Sequence, residues 1–133
     1  MKVLVDTSVW SLAFRRRVPA HRAVDELRRL VSAGRAALVG PIRQEILSGI
    51  REAAMFEQLR ERLRAFPDEP IGAADYERAA ELFNHCRARG LQGSNTDFLL
   101  CAVSVRHQFP ILTTDDDFTR YATLLPIVVH AFS

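Results

Sequence analysis

Two short runs of consecutive apolar residues each lead directly into an acid. Val3-Leu4-Val5 precedes Asp6, and Ile111-Leu112-Thr113-Thr114 precedes Asp115. Apolar residues in continuous rather than alternating order predict central strands buried on both faces. Between these runs the spacing becomes helical. A short helix is predicted over 7–14, with Asp6 or Thr7 as its cap. Arg15-Arg16-Arg17 reads as a loop, and Pro19 suits the first turn of a helix carrying Ala20, Ala23, Val24, Leu27, Leu30 and Val31. Gly34 closes that helix, and 36–40 is a second strand. Pro41 opens a helix with Ile42, Glu45, Ile46 and Ile50; Met55, Phe56, Leu59, Leu63 and Phe66 mark the next. The segment 67–72 is a turn with a short edge strand, where prolines are tolerated. Helices are predicted over 73–89 (through Tyr76, Ala79, Ala80 and Phe83), 94–107 and 118–123, and a last strand over 127–130.

Strands alternating with helices predict a parallel sheet covered on both faces, joined by right-handed crossovers. Ligands of such sheets bind beyond the carboxyl ends of the strands. Asp6 and Asp115 both leave strands at that edge. Asp97 falls in the first turn of a helix entering the same region, and Glu45 lies in the helix that follows the second strand. Each acid has an ordinary explanation. Asp6 and any member of Asp115-Asp116-Asp117 could cap a helix, Asp97 sits three residues after Ser94 as in a capping box, and Glu45 could be solvated. Converging, they would repel one another and their pKa values would rise. A hard divalent cation removes that cost, and Mg²⁺ or Mn²⁺ prefers oxygen donors of this kind. Calcium loops and zinc motifs cluster their ligands in sequence, whereas these are dispersed.

Other acid-rich or phosphate-binding sites fit less well. A phospho-receiver needs a lysine after a late strand, but Lys2 is the only lysine. An Asp-x-Asp phosphatase motif is missing after the first strand, where Asp6 is followed by Thr7-Ser8. P-loop, GxGxxG and GxSxG patterns are all absent.

The length of 133 residues fits one domain spanning 1–133. Cys86 and Cys101 fall inside helical patterns without a CxxC partner or a His cluster, so they read as small buried hydrophobes, compatible with a reducing cytoplasm. The N-terminus has no signal-peptide core, and no apolar run approaches the ~18 residues of a membrane span. The formal net charge of +2 hides an asymmetry. With Asp6, Glu45, Asp97 and Asp115 assigned to a cation, 12 acids remain against 18 basic residues, almost all arginine. Arginine's planar fork suits phosphate, so a polyanionic substrate is compatible with a nearly neutral chain. Arg15, Arg16, Arg17 and Arg43 lie near the predicted carboxyl edge and are candidates to hold phosphates.

Val5-Asp6-Thr7-Ser8, Glu45 after Pro41, Ser94-Asn95-Thr96-Asp97 and Thr114-Asp115-Asp116-Asp117-Phe118 together resemble the four motifs of PIN-domain nucleases. Their spacing and the short chain are similar to VapC-type toxins of toxin–antitoxin pairs. The resemblance covers essentially the whole chain. It implies an α/β PIN-like domain with a five-stranded parallel sheet of order 3-2-1-4-5, flanked by helices. It also implies a Mg²⁺- or Mn²⁺-dependent endoribonuclease. Carried over residue by residue, Asp6, Glu45, Asp97 and Asp115 match the acidic quartet that is catalytic and binds the metal. Asp117 matches a further, variable metal-binding acid, and Thr7 and Ser8 match the polar neighbours of the first. No acid is missing.

The chemistry expected is metal-assisted hydrolysis of an RNA phosphodiester. No histidine lies near a motif, so general-base work falls to a carboxylate or to the metal's own water; His21, His85, His107 and His130 read as structural or surface residues. Trp10, Leu12, Phe14, Met55, Phe56 and Leu59 exceed what the flank of a thin sheet needs. Some of them are expected to line a groove for an antitoxin segment. Homodimerisation is a further expectation of the resemblance. Two other readings remain: an RNA-processing nuclease without an antitoxin, and a non-catalytic RNA-binding or scaffold PIN domain. A neighbouring antitoxin gene separates the first from a toxin, and the complete acid set weighs against the second.

Overall fold

The computed structural model describes residues 1–14 and 21–133. The predicted Arg15–Arg17 loop, the helix start at Pro19 and Ala20 lie outside the described residues. The elements in order are β1 (Val3–Val5), α1 (Thr7–Phe14), α2 (Arg22–Ser32), β2 (Ala36–Ala37), α3 (Gly40–Leu47), α4 (Ala53–Leu63), α5 (Ala73–Arg87), α6 (Asn95–His107), β3 (Ile111–Leu112) and α7 (Asp117–Tyr121). The sheet is parallel, with order β2-β1-β3. Val3 and Leu4 pair with Ala36 and Ala37, while Leu4 and Val5 pair with Ile111 and Leu112.

Among the described residues, three strands form rather than the five expected. Beyond β2 and β3 the pairing continues only as single parallel bridges, Leu38 with Asp68 and Ile111 with Val129. The reason is a lack of donors and of length. Asp68 and Glu69 lie between Pro67 and Pro70, whose nitrogens carry no hydrogen, so this edge supplies one bond, from Glu69 N to Leu38 O at 2.8 Å. On the other side Ile111 N donates to Val128 O and His130 N donates to Ile111 O, and these two bonds make the single bridge formed by 127–130. The second strand is shorter than the expected 36–40 because a helix begins at Gly40, with Pro41 in its first turn.

The chain leaves β1 for β2 on one side and returns past β1 to β3 on the other, so strand order reverses at β1. A crevice at the carboxyl edge follows from that reversal. β1 is fully buried, and Leu30, Ile42, Leu63, Leu100, Ile111 and Phe118 pack around it in one core. Cys86 and Cys101 are both buried and free. The α5–α6 hairpin is pinned by Arg106, which donates through Nε and Nη2 to the Asp75 carboxylate at 2.6 and 3.0 Å. No described helix is long and apolar enough to cross a membrane.

Candidate metal centre

Three of the predicted site acids meet. Asp97, Asp115 and Asp117 each offer a carboxylate oxygen, all within 4.8 Å of one another. Different elements bring them there: Asp97 is in the first turn of α6, Asp115 follows β3, and Asp117 opens α7. Asp116, between the last two, is exposed and lies outside the cluster.

Asp6 stands outside that mutual set but is joined to it. Ser8 and Thr113 both donate to Asp6 Oδ2, at 2.8 and 2.9 Å. The Thr113 hydroxyl in turn accepts from Asp115 N at 2.9 Å, and Asp115 Oδ1 accepts from Asp117 N at 2.9 Å. A hydrogen-bonded chain thus runs from the end of β1 to the start of α7. Ser8 closes it from the other side by accepting from Thr114 N. Glu45 is exposed on α3 and also lies outside the cluster; Thr7 donates to its Oε1 at 2.7 Å.

Electrostatics distinguish these acids. Burial raises the Asp6 carboxyl above the ordinary carboxylate range, and its hydroxyl donors only partly offset this. Asp97 is likewise raised, first by burial and then by the negative charges of Asp6 and Asp115. Hydrogen bonds from Tyr121 and Ser94 act in the opposite direction. The capping box expected at Ser94 forms only in part. The Ser94 hydroxyl accepts from Asp97 N at 3.1 Å, while the Asp97 carboxylate takes the Tyr121 hydroxyl at 2.9 Å.

The donor set fits a hard divalent cation: it is all oxygen and all carboxylate, and it is crowded enough that charge repulsion already perturbs Asp97. No described histidine enters it. His21 caps α2 by accepting from Ala23 N, His85 meets Arg89, His107 stacks on Phe109, and His130 meets Glu26.

Three residues the sequence reading passed over belong here. Thr113 links Asp6 to Asp115, Tyr121 holds Asp97, and Arg120 donates to Asp117 Oδ1. The -Thr-Thr-Asp- run carried a signal for the first, and for the others only position in α7 did. Arg43, expected at phosphate, is engaged internally instead. It donates to Asp68 Oδ1 and to the backbone oxygens of Leu63 and Phe66, fastening α3 to the end of α4. Arg15, Arg16 and Arg17 lie outside the described residues. Of the apolar residues among which groove-lining ones were expected, Trp10 is core: it is 2% exposed and packs against Phe14 and Phe66. An open groove is nevertheless lined by Phe14, Ile50, Met55, Gln58, Leu59 and Arg62, between α1 and α4.

The sequence model of the PIN domain matches residues 3–124. VapC ribonuclease Mb1587 of Mycobacterium bovis and ribonuclease VapC11 of Mycobacterium tuberculosis are each 32% identical to the chain, covering 98% of it and 98% of their own length. Among solved structures, FitAcB from Neisseria gonorrhoeae superposes with a TM-score of 0.77 at 20% identity, covering 97% of this chain and 96% of that one. VapBC2 from Rickettsia felis, bound to a DNA fragment from its promoter, gives 0.72 at 17% identity, with 98% of both chains covered. At such identities the structures share the fold.

Proposed function

The chain belongs to the PIN-domain family, and on that basis we propose that it is a Mg²⁺- or Mn²⁺-dependent endoribonuclease acting as the toxin of a toxin–antitoxin pair. The observation that carries this reading is the convergence of Asp97, Asp115 and Asp117 at the carboxyl edge where strand order reverses. The full-length likeness to proteins named VapC ribonucleases supports the RNA-cleaving part of it.

Asp97, Asp115 and Asp117 would hold the cation, with Asp6 completing its surroundings and Glu45 at the rim. A divalent cation bound there supplies Lewis-acid activation of water and neutralises charge on a scissile phosphate. The protein's own groups orient the acids. Ser8 and Thr113 fix Asp6, Asp117 N and Thr113 fix the Asp115 loop, and Thr7 fixes Glu45. Burial raises the Asp6 and Asp97 carboxyls above the ordinary carboxylate range, with the charges of Asp6 and Asp115 adding to it at Asp97, and a bound cation would offset that cost. Arg120, 60% exposed beside Asp117, is placed to meet a phosphate at the rim.

The groove between α1 and α4 is apolar with Gln58 and Arg62 on its border, which suits an amphipathic antitoxin segment. The solved relatives include a toxin–antitoxin complex from Klebsiella pneumoniae, in line with this assignment. Homodimerisation belongs to the same reading.

The test is cleavage of RNA by purified protein. Asp6→Asn and Asp97→Asn are expected to abolish Mg²⁺-dependent cleavage while circular dichroism stays native, and chelation is expected to silence the parent protein. Near-normal cleavage by either variant would overturn the site assignment.

A further inference from the structure

Every acid of a metal centre needs something to hold its orientation, and outer-sphere partners usually supply it. Asp6 has two hydroxyl donors, Asp115 has the Asp117 N–H, and Asp117 has the Arg120 guanidinium. Asp97 has a different kind of partner. The Tyr121 phenol donates to Asp97 Oδ2 at 2.9 Å, reaching across from α7 to α6.

Three features define the seat of that phenol. Its ring is 1% exposed. It is gripped by Phe98 at 4.9 Å and by Phe118 at 5.3 Å between ring centroids. The third is Gly93, just before α6: a Cβ there would lie 2.0 Å from the Tyr121 hydroxyl oxygen and 2.8 Å from Cζ. Real atoms do not approach so closely, and the neighbour is a buried ring, so any side chain at 93 displaces the phenol. Gly93 is therefore an opening shaped to the Tyr121 hydroxyl, and its role is close approach rather than an unusual backbone angle.

We propose that Tyr121, admitted by Gly93, is a positioning residue that sets the orientation of Asp97 for cation binding. This rests on the assignment of Asp97 to a metal centre. A neutral phenol suits the task better than a second arginine would. It fixes the carboxylate through one oxygen without cancelling its charge, so the negative charge that attracts the cation is retained. Asp117, already paired with Arg120, has less to offer in that respect. The division of labour makes Asp97 the acid whose precise orientation matters most for affinity.

The experiment measures Mn²⁺ binding to the whole protein by calorimetry or by loss of the free Mn²⁺ signal in electron paramagnetic resonance. Parent protein, Asp97→Asn, Tyr121→Phe and Gly93→Ala are compared, with thermal midpoints recorded without metal. Tyr121→Phe keeps the ring and removes only the donor, so its midpoint is expected to stay close to the parent's. Its Mn²⁺ affinity is expected to fall roughly ten- to a hundredfold, the usual loss for an outer-sphere partner. RNA cleavage by this variant is expected to return as Mn²⁺ is raised, which a catalytic defect would not allow. Gly93→Ala, which keeps the phenol in the chain but displaces it, is expected to weaken Mn²⁺ binding likewise, and it carries the test if Tyr121→Phe proves unfolded. Parent-like affinity in folded Tyr121→Phe, with binding lost in Asp97→Asn, overturns the positioning role alone. No saturable binding by the parent, or undiminished binding by Asp97→Asn, overturns the metal centre itself.

Discussion

Two aspartates in this chain occupy the same local position and do opposite things. Asp75 and Asp97 each lie three residues after a helix-capping residue, Gly72 and Ser94. Asp75 completes the turn: its Oδ2 accepts from Gly72 N at 3.0 Å, and Arg106 binds both of its oxygens. Burial alone would raise its pKa, but the Gly72 and Arg106 contacts prevail and bring it below the ordinary value. Asp97 instead takes the Tyr121 hydroxyl from α7 and meets Asp115 and Asp117, and burial, with the charges of Asp6 and Asp115, raises its pKa. The first acid is there for stability and the second at the expense of it. In metal-free buffer Asp75→Asn is expected to destabilise the fold by about 1–3 kcal/mol, the worth of hydrogen bonds to a charged group. Asp97→Asn, which removes a repelled charge, is expected to leave stability unchanged or higher. Urea midpoints decide this, and a clear loss of stability in Asp97→Asn would refute the strain ascribed to it.

Among the elements, α6 carries the most of both fold and site. Its residues Phe98 to Ser104 are all buried, which explains why its sequence reads as apolar nearly all round rather than as one stripe. Ser94 starts it, and Gln108 ends it in a left-handed conformation at φ 57°. Glycine adopts that conformation without a Cβ penalty, so Gln108→Gly is expected to raise stability by about 1 kcal/mol, measurable as a shift in denaturation midpoint. Unchanged or lower stability would show that the Gln108 side chain compensates for its backbone. The longer helices were legible because they span enough turns for their spacing to show, and residues such as Pro41, Ser94 and Gly34 marked their ends. Strands were overextended in the reading. Apolar residues such as Leu38 and Val39 are buried without being strand, since burial alone sets the apolar run while ladder hydrogen bonds set the strand.

For the molecule as a whole, the cost of gathering acids at one edge is tolerable only if something offsets it. A ligand that binds the folded state alone stabilises it by about 2.7 kcal/mol at a hundredfold excess over its dissociation constant. Saturating Mn²⁺ is therefore expected to raise the thermal midpoint of the parent protein by several degrees and to leave that of Asp97→Asn unmoved. Equal shifts in both would place the cation elsewhere. The sequence alone determined that strands alternate with helices, that acids follow β1 and β3, and that Glu45 lies within, and Asp97 in the first turn of, helices between them. Local spacing suffices for these, because hydrophobic period and capping chemistry act over a few residues. Which acids meet was decided by tertiary structure. Asp117 joins Asp97 and Asp115 while exposed Asp116 does not, Glu45 stands apart on α3, and Arg43 is engaged with Asp68 instead of facing the site. The Tyr121 contact and the space Gly93 leaves for it depend on α6 and α7 packing together across a long stretch of chain. No local pattern records a distance between elements, so the acids that end the strands could be read as a cation site, but their partners could not.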